Sequence, residues 1–91
     1  MRKELDIKVT GRVQMVMYRD FAQRRAKKLN IVGTAQNQED GSVHIVAQGE
    51  EENLKKYTAM LRKGSTFSRV DSVTIIELSK LNEYKEFNII F

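Results

Sequence analysis

Leu5-Asp6-Ile7-Lys8-Val9-Thr10-Gly11-Arg12-Val13-Gln14-Met15-Val16-Met17-Tyr18-Arg19 carries the chain from one periodicity to another. Leu5, Ile7 and Val9 alternate with Asp6, Lys8 and Thr10, the pattern of a half-buried strand. Gly11 is expected to end that strand. From Arg19 to Leu29 the spacing becomes helical: Ala22, Ala26 and Leu29 share a face, with Phe21 beside them. Arg24, Lys27 and Lys28 fall on or near the opposite, solvated side. Asn30 is expected to stop the helix, because asparagine tolerates left-handed backbone at a helix end.

Outward from this stretch, Ile31–Asn37 reads as a second strand, interrupted in pattern by Gly33, Thr34 and Gln36. Asp40-Gly41 is a hairpin signal, and Ser42–Gln48 follows as a third strand with Val43, Ile45 and Ala47 on one face. Glu50-Glu51-Glu52 suits the positive end of a helix dipole. Leu54, Tyr57 and Leu61 then mark the buried stripe of a second helix, ended near Gly64. Val70–Leu78 is rich in β-branched residues and reads as a fourth strand. Phe87, Ile89 and Phe91 alternate as a short last strand. The order predicts an α+β, ferredoxin-like βαββαβ sandwich: an antiparallel sheet, two helices on one face, and a short C-terminal strand.

Composition narrows the function classes. The 91 residues are expected to form one domain, residues 1–91. A chain of this size buries about 60–65% of its unfolded surface, which makes its core economical. With no cysteine and a single histidine, His44, thiolate metal sites and disulfides are excluded and a zinc centre is disfavoured. No apolar h-region follows the N-terminus and no run approaches a membrane span, so a cytoplasmic location without membrane association is expected. The net charge of +4 favours anionic ligands without choosing among them.

The loop from Gly11 to Arg19 has the makings of an anion site. Successive backbone N–H groups in a tight turn form an anion-binding nest. The free N–H groups at a helix start lie beside it, favoured by the dipole. Arg19 sits where loop becomes helix, and its planar fork can hold two phosphate oxygens at once. By spacing alone the anion site is a weak signal, and Arg19 reads more readily as a surface arginine.

Taken together, Gly11, Val13, Gln14, Val16, Tyr18 and Arg19, then Phe21, Ala26 and Leu29, then Asn37, Asp40, Gly41, Ser42 and Val43 resemble the acylphosphatases, hydrolases of the carboxyl–phosphate bond. Gly49, Arg62-Lys63-Gly64 and Val70-Asp71-Ser72-Val73 extend the resemblance over nearly the whole chain in one register. It implies that Arg19 holds the phosphate, with a binding loop of Gln14, Met15, Val16, Met17, Tyr18 and Arg19. It implies that Asn37 positions the attacking water. The substrate is then a small acyl phosphate, the products carboxylate and inorganic phosphate, with no metal and no cofactor. A monomer is expected.

This chain departs from the pattern in places. The family's second loop glycine is Met15 here, where a left-handed backbone costs about 1–2 kcal/mol and the side chain is expected to crowd the cradle. The family's Trp-Val-Arg before the asparagine is Thr34-Ala35-Gln36, and the proline after Gly64 is Ser65. The alternative left open is a catalytically weak or inactive phosphate-binding relative. A nucleic-acid module of the same strand order is disfavoured, because the first and third strands carry no aromatic residue on which to stack bases. His44 reads as a sheet-face histidine, and Met15 with Met17 makes a poor soft-metal site.

Overall fold

The computed structural model describes Met1–Phe91. Its elements are β1 (Arg2–Arg12), α1 (Tyr18–Lys28), β2 (Val32–Asn37), β3 (Val43–Glu50), α2 (Glu51–Lys63), β4 (Arg69–Leu78) and β5 (Phe87–Ile90). They form one sheet in the order β4-β1-β3-β2-β5. The ferredoxin-like arrangement expected from the sequence is present. Its four long strands are antiparallel neighbours, whereas β5 joins the free edge of β2 in parallel, so the sheet is mixed.

The register explains which face is covered. Val9 pairs with Val43, Ile7 with Ile45, and Ile45 in turn with Ala35. All of these side chains are fully buried. On them pack Tyr18, Phe21, Ala22 and Ala26 of α1 and Leu54, Tyr57 and Leu61 of α2. Two hydrogen bonds tie the helices reciprocally: the Tyr18 hydroxyl donates to the Leu61 carbonyl at 2.8 Å, and the Tyr57 hydroxyl donates to that of Ala22 at 2.9 Å. A buried hydroxyl without a partner would be destabilising, so these bonds are what makes both tyrosines tolerable in the core.

Gly11 does not end β1. The strand continues to Arg12, and the register against β4 shifts between Thr10 and Gly11, leaving Asp71 unpaired as a bulge. Gly11 has φ 122°, and a Cβ there would run into the Arg69 carbonyl oxygen. A bulge bends and twists the strand locally. Here it falls immediately before the loop. Asn30, with φ 55°, takes the left-handed conformation expected just past α1.

Alternation places Glu4 on the face away from the helices, yet it is fully buried. The segment between β4 and β5 crosses that face. Asn82 donates to the Glu4 carboxylate from both its backbone N–H and its side-chain amide, each at 2.8 Å. Gln48 Nε2 donates to the same carboxylate at 3.0 Å and to the Asn82 carbonyl at 2.7 Å. This strap fixes the crossing that delivers β5, and with it the C-terminus, to the edge of β2.

Candidate functional site

The loop joining β1 to α1 is built on buried anchors at both ends: Val13 is 1% exposed and so is Tyr18. Between them, Met15 and Met17 both adopt left-handed backbone, each with φ 61°. Val16, between the two, is half-buried against the core. Left-handed residues alternating with residues of negative φ can turn successive N–H groups toward a common side. From Gln14 to Asp20, no backbone N–H donates to any protein acceptor; the first helical bond is Phe21 N–H to the Met17 carbonyl at 3.0 Å. Met17 caps α1 without a side-chain hydrogen bond. The chain thus presents a run of free donors at a helix N-terminus, where the dipole also favours negative charge.

A cavity of about 480 Å³ opens beside this loop, lined by Met15, Met17, Arg19, Asn37, Ile89 and Phe91 among others. It brings Arg19 and Asn37, distant in sequence, to one space. Arg19 Nη1 donates to the Ile90 carbonyl at 3.2 Å, and its guanidinium lies 4.9 Å from the centroid of the Phe91 ring. Both partners are neutral, so the positive charge stays available. Asn37 ends β2 on the helix-facing side, and its Oδ1 is buried with no hydrogen-bond partner. An amide oxygen left unpaired costs about 1–3 kcal/mol. Such an orphan acceptor at a cavity marks a place for a donor such as water.

Gln14 has a different task from its neighbours. Its side-chain Nε2 donates to the carbonyls of Gln38 and Ser42, at 2.7 and 2.9 Å. It ties the loop to the hairpin that follows Asn37, while its backbone N–H remains in the free run. The hairpin is itself braced at Asp40. The side-chain hydrogen bond from Ser42, and then that of Lys8, hold the Asp40 carboxyl well below its usual range. Met15 is 100% exposed. Its side chain packs on no core residue and borders the cavity beside the loop, while its backbone carries the strain expected of a left-handed residue. Tyr18 serves from below, its hydroxyl buried and its pKa pushed up by desolvation.

The sequence pattern marked the loop, Arg19 and Asn37. It missed Ile90 and Phe91 as partners of Arg19 and the tie made by Gln14. No group of three or more His, Cys, Asp or Glu side chains gathers anywhere in the fold to hold a metal. No helix is long and apolar enough to cross a membrane. His44 Nε2 lies 2.9 Å from Asp6 Oδ1 on the sheet face away from the helices, apart from the cavity.

The family model and the curated relatives point to the same family. The family model described as acylphosphatase matches residues 5–89. An acylphosphatase of Clostridium acetobutylicum is 45% identical over 85 residues, covering 93% of each chain. The crystal structure of the Bacillus subtilis acylphosphatase superposes with a TM-score of 0.95 at 35% identity over 100% of both chains. An acylphosphatase structure from Coxiella burnetii gives a TM-score of 0.93 at 27% identity, covering 98% of this chain and 93% of that one.

Proposed function

Given that this chain belongs to the acylphosphatase family and is a hydrolase of acyl phosphates, we propose that Arg19 and the free loop N–H groups hold the substrate phosphate while Asn37 positions the water that attacks it. The observation that supports this is the convergence on one cavity of an unneutralised guanidinium, a run of unpaired N–H donors and an orphan amide oxygen.

The steps are few. The phosphate's peripheral oxygens accept from Arg19 and from N–H groups between Gln14 and Arg19. Asn37 Oδ1 accepts a hydrogen bond from a water, aiming its oxygen at phosphorus. The water oxygen forms the new P–O bond as the bond from phosphorus to the acyl oxygen breaks, and the electron pair leaves with the carboxylate. The water's proton passes to a phosphate oxygen, giving inorganic phosphate. Carboxylate is a good leaving group, so no protein acid is required. Phosphoryl transfer of this kind depends mainly on positioning and on charge stabilisation. Charge stabilisation falls to Arg19 and the backbone dipoles, and neither metal nor cofactor has a role.

Over a phosphate-binding relative that has lost turnover, this reading is favoured by the unpartnered Asn37 oxygen at the cavity, which such a relative would not need. The test is hydrolysis of benzoyl phosphate in the presence of EDTA. Arg19→Ala is expected to lower kcat/KM by about 10²–10³-fold, with loss of inhibition by inorganic phosphate. Asn37→Ala is expected to lower kcat by about 10²-fold while phosphate inhibition persists. Turnover in Asn37→Ala equal to that of the unmodified protein refutes the water-positioning role.

A further inference from the structure

The loop separates two cavities, and the reading above uses only one. The sheet order sets β2 and β5 on one side of β1 and β3, and β4 on the other. The cavity with Asn37 and Phe91 lies toward β2 and β5. A second cavity, of about 650 Å³, lies toward β4 and is bounded by Arg12, Met15, Met17, Phe67 and Arg69. Met15 and Met17 line both. In an in-line displacement the attacking and departing oxygens stand on opposite sides of phosphorus. A water held at Asn37 therefore directs the acyl group away from β2, toward this second cavity.

Its chemistry is unusual for a bare surface. Arg12 and Arg69 are direct cross-strand partners. Like charges so placed are destabilising. Arg69 is relieved by Asp71, to which its Nε and Nη2 donate at 3.0 and 3.4 Å. Arg12 has no hydrogen-bond or ion-pair partner of its own and is exposed at the cavity wall. Phe67, 73% exposed, and the thioether chain of Met15 supply apolar surface beside it.

Resting on the proposed catalytic reading, we propose that this second cavity receives the acyl part of the substrate, and that Arg12 selects acyl groups carrying a second anionic group such as a remote carboxylate. Phe67 and Met15 cover the carbon chain between the two charges. Arg12 is thus a specificity residue, remote from the bond that breaks.

The experiment compares two substrates: benzoyl phosphate and the mono-acyl phosphate of a four-carbon dicarboxylic acid. The readout is the ratio of their kcat/KM values. Arg12→Gln is expected to shift this ratio about five- to tenfold against the dicarboxylic substrate, through KM, as for loss of one charge-assisted contact. Lys28→Gln removes the same net charge at the far end of α1 and should leave the ratio unchanged. An unchanged ratio in Arg12→Gln, or the same shift in Lys28→Gln, overturns the proposal. Titration with the two corresponding non-hydrolysable acyl phosphonates separates this inference from the catalytic one. A preference for the carboxylate-bearing phosphonate that vanishes in Arg12→Gln supports it even where neither acyl phosphate turns over. Equal affinities in the unmodified protein overturn it, whatever the turnover.

Discussion

Replacing Met15 by glycine isolates the energetic cost of building this cradle without the family's second loop glycine. Met15 has φ 61° and a fully exposed side chain, so glycine removes no packing. A left-handed L-residue costs about 1–2 kcal/mol that glycine does not incur. Against this, glycine loses more chain entropy on folding, worth about 0.5–1 kcal/mol. Taking the middle of each range, the balance favours glycine by about 0.5–1 kcal/mol. For a domain of this size that is a rise in Tm of about 2–8 °C, read by thermal denaturation. The same strain biases the unliganded loop away from the conformation that gathers its N–H groups. Phosphate affinity, read as competitive inhibition of turnover, should therefore tighten up to about fivefold. Met15→Ala is the control, since alanine keeps the left-handed cost while removing the thioether. If alanine and glycine act alike on both readouts, the side chain rather than the backbone governs the site. Lower stability in Met15→Gly refutes the strain argument outright.

Two further perturbations address the frame around the loop. Gln14→Ala should lower stability to urea by about 1 kcal/mol rather than twice that. Both carbonyls it bonds keep a backbone donor, Gly41 N–H for Gln38 and Gln38 N–H for Ser42. A loss below about 0.3 kcal/mol would show the tie to be incidental. For Tyr18 and Tyr57, burial raises the folded pKa above the ordinary value of 10.0, so the neutral form is favoured when folded. Their contribution is complete below pH 10 and falls as pH rises above it, by about 1.4 kcal/mol per pH unit for each buried tyrosine. Alkaline urea titrations of Tyr57→Phe should show a shallower fall than the unmodified protein; superimposable slopes would contradict the burial argument.

What the sequence made legible is what repeats or what has a fixed local signature. The period of two in β1 and the 3.6-residue stripes in both helices survive translation into structure, because each records a face buried against one core. Gly11-to-Arg19 suggested an anion loop through local chemistry (backbone donors, a helix start, an arginine), and the family resemblance gave that suggestion its weight. Contacts made across long sequence separations were not legible. Glu4 alternates outward like Asp6 and Lys8, and nothing in β1 announces that Asn82 will arrive to bury it. Phe91 continues the alternation of Phe87 and Ile89, yet it lies beyond β5 and leans over Arg19, a contact set by the parallel docking of β5 on β2. Gln14 sits inside the motif, but its acceptors are supplied by the hairpin. Gly11 signalled a departure from regular strand without specifying whether the strand stops or bulges.

These non-local contacts explain how so sparse a site keeps its charge. In the role proposed for Arg19, a guanidinium must be held still without being neutralised, because an ion pair with a carboxylate would compete with the substrate. Asp20 follows Arg19 in sequence and lines the same cavity, yet it pairs with Arg24 at 2.9 Å. Asp40, in the hairpin after Asn37, is occupied by Lys8 at 2.9 Å and by Ser42. Each acid near the loop is engaged elsewhere, while Arg19 is steadied by a carbonyl oxygen and an aromatic face. A cation–π contact orients an arginine with a small desolvation penalty and leaves its edge donors free. In the proposed reading the strap through Glu4 and Asn82 supports the site, because it fixes the crossing that brings Ile90 and Phe91 within reach of Arg19.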